Sequence, residues 1–229
     1  MRRFGRIAAA ASLGLTLAAA SGATATATAA AGAAVPTLSV TALGGPPVNP
    51  GDTLSSSLTP GTQLSLTTAP GGAVGLFCNQ SSWTGITLAN PPVPGPATIR
   101  ITAMTIAACT DNNPTVLAVS GVAVTNLPVI LQVNGAGAFP IQIIPGGPPP
   151  VQIVASLTTT AGPVVCTYQA VPPTSGNTGL GALPWRFVNQ RFNLVAGPLP
   201  PCGAGLDFFS ASYSPVTDVT QLGANVYVN

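Results

Sequence analysis

The chain has 229 residues, 46% hydrophobic and only 4% charged, with no His, Lys or Glu. Three of its six basic residues, Arg2, Arg3 and Arg6, open the sequence, and the remainder sets Arg100, Arg186 and Arg191 against Asp52, Asp111, Asp207 and Asp218. Such a chain has no clustered Lys and Arg for a nucleic-acid footprint, and it lacks most of the side chains that serve as general bases or zinc ligands.

Residues 1–34 read as a signal peptide. Arg2, Arg3 and Arg6 are followed by an apolar run over 7–20 and then by small residues with overlapping A-x-A sites near Ala25-Thr26-Ala27. That order is the n-region, h-region and cleavage zone of export, and the run is shorter than the roughly 20 residues that span a bilayer. The expectation is a secreted, extracellular protein, not inserted in the membrane after signal removal. No Cys lies near the cleavage zone to carry a lipid.

From Val35 onward short apolar segments alternate with Gly and Pro turns, as in Leu38-Ser39-Val40-Thr41, Gly44-Gly45-Pro46-Pro47 and Leu64-Ser65-Leu66. Regular short strands with such breaks predict an all-β, antiparallel sandwich or barrel-like fold. In the first half Ile99, Ile101 and Ala103 share one face, whereas Met104 and Ile106 continue in the opposite phase; in the second half Trp185 and Phe187 precede Phe192 and Leu194 in the same way. A one-residue slip of phase predicts a β-bulge at each place. Val116–Val124 is apolar on both faces and predicts a strand covered on both sides. Phe209-Ser210-Ala211-Ser212-Tyr213-Ser214 alternates and predicts one wet face. The break Pro145-Gly146-Gly147-Pro148-Pro149-Pro150 reads as a loop, since roughly 200 residues in one body bury far more than two separate halves would.

The four cysteines, Cys78, Cys109, Cys166 and Cys202, all follow the signal. An even number in an exported chain points to disulfides, with three possible pairings. Two stretches resemble each other: Thr68-Ala69-Pro70-Gly71 leading to Cys78 and closing at Cys109, and Thr160-Ala161-Gly162-Pro163 leading to Cys166 and closing at Cys202. The duplication selects Cys78–Cys109 and Cys166–Cys202. The expected organisation is a single secreted β domain, 35–229, built from similar disulfide-closed units at approximately 35–125 and 126–229.

Candidate chemistry is sparse. The Gly-rich runs at 135–137 and 176–181 match neither dinucleotide nor phosphate-loop spacing. Asp111 and Asp207 each follow the closing cysteine of their unit and could form a hydrolytic pair; the simpler reading is an Asx turn at Asp111-Asn112-Asn113-Pro114, with at most weak calcium affinity, and a lone surface charge at Asp207. Arg100 and Arg186 occupy matching strand positions, either as a paired anion contact or on a solvent face. Trp83, Trp185, Phe187, Phe192, Phe208, Phe209 and Tyr213 either fill the core or line an apolar cleft. No catalytic, cofactor or metal residue is assigned, and no cofactor is expected.

The stretch Trp185-Arg186-Phe187-Val188-Asn189-Gln190-Arg191-Phe192-Asn193-Leu194, with Phe209–Asp218, Val119-Ser120-Gly121-Val122, Asn126-Leu127-Pro128 and the Asn225–Asn229 terminus, resembles a group of uncharacterised secreted actinomycete proteins usually labelled Tat pathway signal sequence domain proteins. That resemblance covers most of the mature chain and implies no catalytic or binding residue. The two-disulfide β design also resembles secreted antibiotic-carrying apoproteins. The leading expectation is therefore a non-enzymatic extracellular or cell-envelope protein acting through surface contacts with the cell wall or other proteins. The alternatives are a binding module for a small apolar ligand and an Asp-dependent secreted hydrolase.

Overall fold

The computed structural model describes residues 34–135, 140–145, 150–172 and 174–229. The signal segment up to residue 33 and the centre of the Pro-rich break, 146–149, lie outside them. Residues 34–229 form one unit, all-β and without helix among the described residues. Its strands are β1 (Leu38–Val40), β2 (Thr53–Leu58), β3 (Leu64–Thr67), β4 (Gly75–Ala89), β5 (Pro96–Asp111), β6 (Val116–Thr125), β7 (Val129–Asn134), β8 (Pro140–Pro145), β9 (Gln152–Thr159), β10 (Gly162–Ala170), β11 (Thr174–Asn177), β12 (Trp185–Ala196), β13 (Leu206–Asp218) and β14 (Ala224–Val228).

Of the sandwich and the barrel, the chain forms the barrel. β13, β2, β4, β5, β7, β8, β11 and β12 pair antiparallel in a circuit that returns to β13. Closure leaves these strands with no free edge, and an eight-stranded barrel is just wide enough to be filled by side chains or to hold one small ligand.

The barrel is tall because four of its columns are long: β4 has 15 residues, β5 16, β12 12 and β13 13. Each of the other four columns is made of two short strands, one above the other and joined by a break: β2 and β3, β7 and β6, β8 and β9, β11 and β10. The long columns change register near the same height. The β4–β5 ladder slips between Thr84 and Gly85, β12 slips against β13 between Phe187 and Gln190, and β13 slips against β2 between Tyr213 and Val216. All eight columns therefore bend or break at one waist.

Local chemistry fixes these bends. Asn189, in the β12 bulge, takes a φ of 53°, which Asn tolerates better than most residues, and its N–H donates to Ser210 Oγ at 2.9 Å. Gln190 turns inward, accepts the Ser175 N–H at 2.6 Å and donates to the Val188 carbonyl at 2.7 Å. Asn126, at the β6–β7 break with φ 61°, donates from Nδ2 to the Pro150 carbonyl at 2.9 Å and so ties two breaks together. Gly176 lets β11 approach β12, since a Cβ there would lie 2.2 Å from the Arg186 carbonyl oxygen.

The lower end is capped by the β1–β14 pair, whose Leu38, Val40, Val226 and Val228 are buried. The pair is fastened to barrel loops by Thr37 N–H to the Pro91 carbonyl at 2.9 Å and Gly181 N–H to the Val228 carbonyl at 2.9 Å. The upper tier is β13, β3, β4, β5, β6, β9, β10 and β12, and there β5 lies beside β6 with no ladder between them among the described residues. Both disulfides belong to this incompletely laddered tier. Cys78–Cys109 joins facing residues of β4 and β5, and Cys166–Cys202 joins β10 to the loop between β12 and β13.

Two expectations change. Val116–Val124 is not covered on both faces: Leu117 is 66% exposed and Ser120 and Gly121 face solvent, because a single-layered wall has an outer side. Ala103 does not continue the buried face of Ile101, since the ladder passes from Ile101 to Ala103 without pairing Thr102 and the slip falls one residue earlier. Around the circuit β2, β4 and β5, all before residue 125, stand together, and β7, β8, β11, β12 and β13, all after it, complete the wall.

The disulfides close loops with sequence separations of 31 and 36, each contributing about 3.7 kcal/mol on a loop-entropy model. Replacing Cys166 and Cys202 by Ala should lower stability to denaturant by about this amount, with a steeper unfolding slope because the released chain exposes more surface when unfolded. Peptide mapping without reduction should recover 78–109 and 166–202 as the linked pairs.

Candidate functional site

Where the columns break on one side of the waist, the interior is incompletely filled. A partly open cavity of about 70 Å³ lies there, lined from β4 and β5 by Trp83, Ile101 and Met104 and from β12 and β13 by Phe187, Phe192, Phe209 and Tyr213. The broken columns complete it with Leu127, Val129, Leu131, Ile143, Val151, Ile153 and Thr174 among others. The cause is geometric. Side chains from two tiers must meet where the wall bends, and the strand ends at 126–128, 150–151 and 171–174 give them no continuous ladder to follow.

Aromatic packing makes the far wall rigid. Trp83 stacks on Trp185 with ring centroids 5.7 Å apart and planes at 22°, Phe187 meets Tyr213 edge-on at 6.5 Å, and Phe192 packs against Phe209 at 5.7 Å. The Tyr213 hydroxyl is engaged with Ser81 Oγ at 3.0 Å, and burial pushes its pKa further up. Among the described residues no charged side chain lines the cavity. Such a space is unattractive to water, which needs two to four polar partners.

Of the seven aromatics singled out in the sequence, five line the cavity; Trp185 backs Trp83, and Phe208 lies outside the lining. The aliphatic half of the wall was missed. Its signal was the set of strand breaks around Asn126-Leu127-Pro128, Pro150 and Pro172, which reads locally as turns and shows its common height only once the barrel closes. Arg100, Arg186 and Arg191 are all exposed, the solvent-face alternative for the first two.

The four carboxylates form two pairs, one at each end of the barrel, with Asp207 and Asp218 on the inward face of β13. At the lower end Asp218 accepts the N–H groups of Thr220 at 3.0 Å and Gln221 at 3.1 Å, while Asp52 accepts from Asn49 N–H at 2.7 Å. Gln221 Nε2 bridges both, at 2.8 Å from Asp52 and 3.2 Å from Asp218. Burial, opposed by those N–H bonds, and the Asp52 charge hold Asp218 above its ordinary value. Burial also acts on Asp52, but the bonds from Asn49, Gln221 and the neighbouring carboxyl outweigh it and hold Asp52 below its usual range. Amide donors thus engage both carboxyls of this pair.

At the upper end Asp111 and Asp207 line one cavity of about 10 Å³ together with Tyr168. Asp111 does form the expected Asx turn, accepting the Asn113 N–H at 2.7 Å. Asp207 is not a lone surface charge. It is 2% exposed, because inward alternation along β13 carries it into the upper interior. Burial, opposed by a backbone N–H bond from Ala204 and helped by a smaller push from the Asp111 charge, raises its pKa to about 6. A space this small admits one water-sized guest and no sugar or peptide, so the pair has no room for a hydrolytic substrate.

No family model matches the chain, and neither a curated protein nor a solved structure is significantly similar to it.

The Asp207 shift has a definite sign. A carboxyl that titrates near 6 when folded, against about 3.9 when unfolded, adds stability below pH 4 that is lost as pH rises through about 6. In the presence of a chelator, the Tm of the parent protein relative to Asp207→Asn should fall between pH 4 and pH 7. A constant difference across that window would contradict the shift.

Proposed function

We propose that the protein is an exported binding module for a small apolar ligand, held at the waist of the barrel among Trp83, Phe187, Leu131 and Ile143. The supporting observation is the charge-free cavity of about 70 Å³ walled by stacked aromatics. At about 70 Å³ it is about half the volume of a roughly 150 Å³ cavity that encloses benzene, so it takes a short branched alkyl chain, or a small ring that protrudes through the open side. Left unfilled, a void of this size costs about 1.7 kcal/mol at about 24 cal/mol per Å³. A fitting ligand recovers that and adds burial of its own surface.

Export is supported by the basic, apolar and small-residue order at the N-terminus and by two disulfides, which persist in oxidising compartments. Among the described residues the outer surface exposes three Arg and no cluster of charge. The reading therefore rests on the interior. It predicts that cell fractionation will recover an oxidised protein cleaved near residue 34 outside the cytoplasm.

A panel of benzene-sized aromatics, cyclic alkanes and short branched alcohols, scored by Tm and by the fluorescence of Trp83, tests the ligand class. At least one probe should raise the Tm saturably and change the emission. Val129→Leu, which puts one more methylene into the space, should raise the unliganded Tm by about 2–3 °C and weaken the same probe severalfold. Failure of every probe at its solubility limit, or unchanged affinity in Val129→Leu, would overturn the proposal.

A further inference from the structure

The two ends of the barrel solve the same electrostatic problem differently. At the lower end, Gln221 and three backbone N–H groups satisfy the Asp52–Asp218 pair. At the upper end, Asp207 Oδ2 is buried and has no hydrogen-bond partner among the described residues, although it lines the same small cavity as Asp111. A buried carboxylate oxygen left unpaired is strongly unfavourable, so the geometry calls for a guest. The cavity admits one of atomic size.

We propose that Asp111 and Asp207 bind a single calcium ion at the upper end of the barrel. The donors are hard oxygens: two carboxylates, in a small cavity whose lining also includes Thr68 and Tyr168. Oxygen donors of this kind suit calcium, whose ligation is irregular, better than thiophilic metals or magnesium with its strict octahedron. Among the described residues no third acidic group, His or Cys joins the pair, which places the affinity with extracellular modules of about 10⁻⁴ to 10⁻³ M.

The surroundings keep the donors in place. Asp111 follows Cys109 by two residues, Tyr168 follows Cys166 by two, and Gly203 follows Cys202, so three of the lining segments are anchored by disulfides. Gly203 has φ +80°, and a Cβ on it would sit 2.3 Å from Asp207 Oδ1 and 2.8 Å from Oδ2. Glycine there leaves the carboxylate room that any side chain would take. Asn113 Nδ2 holds the facing loops together through the Pro200 carbonyl at 2.9 Å.

The test is calorimetric and thermal titration of the disulfide-intact protein with calcium, magnesium and sodium at constant ionic strength. Calcium at ten times its Kd should raise the Tm by about 3–6 °C, and terbium emission sensitised by Tyr168 should be displaced by calcium. Asp111→Asn and Asp207→Asn should each weaken binding at least tenfold, while Asp52→Asn leaves it unchanged. Because Asp111 is only half-buried, its variant remains informative if Asp207→Asn does not fold. The proposal is overturned if millimolar calcium gives no saturable shift, if magnesium or sodium gives the same shift, or if Asp111→Asn binds as the parent does.

Discussion

A closed eight-column wall can extend over two tiers only if every column bends at the same height. That shared bend is the constraint on which the rest of this structure depends. Four columns meet it with bulges in continuous strands and four by stopping and restarting. Bulges accommodate the extra residue by local twist, whereas a broken column leaves side chains without a neighbour in register. The cavity lies on the side where three broken columns, β7/β6, β8/β9 and β11/β10, stand together.

The same constraint explains where covalent and polar reinforcement is found. The lower tier closes by backbone ladders all round and is capped by β1 and β14, and it holds its carboxylate pair with amides alone. The upper tier lacks a ladder between β5 and β6. It carries both disulfides, and they anchor the loops around Asp111 and Asp207. Cross-links that restrict the unfolded chain thus both fall in the tier whose circuit is incompletely laddered, one within the β4–β5 ladder and one between β10 and the β12–β13 loop.

Much of this fold is legible in the residues. Short alternating segments and Gly and Pro turns gave the all-β class, and the resemblance between the two Cys-containing stretches selected the pairing that the structure has. The bulges in β5 and β12 were readable from the phase of Ile101 against Ile106 and of Phe187 against Phe192. What was not legible depends on closure. Leu117 and Val119 look alike in a line of text, and only the register shift between Val116 and Ala118, which leaves Leu117 unpaired, turns it outward. Asp207 reads as a surface charge until inward alternation along β13 carries it to the end of the barrel. Gln190 gives no hint that its amide will tie β12 to β11. The cavity itself is a coincidence of breaks far apart in sequence, so its aliphatic wall has no local signature.

The central claim is that the waist is an apolar receptacle of fixed shape. Diffraction from crystals equilibrated with pressurised xenon tests it most directly, since xenon enters dry cavities of this kind without needing hydrogen bonds. The account predicts a saturable xenon site among Trp83, Ile143, Leu131 and Phe187 with the Trp83–Trp185 stack undisturbed. A waist that takes up no xenon, with those side chains collapsed together, would contradict it.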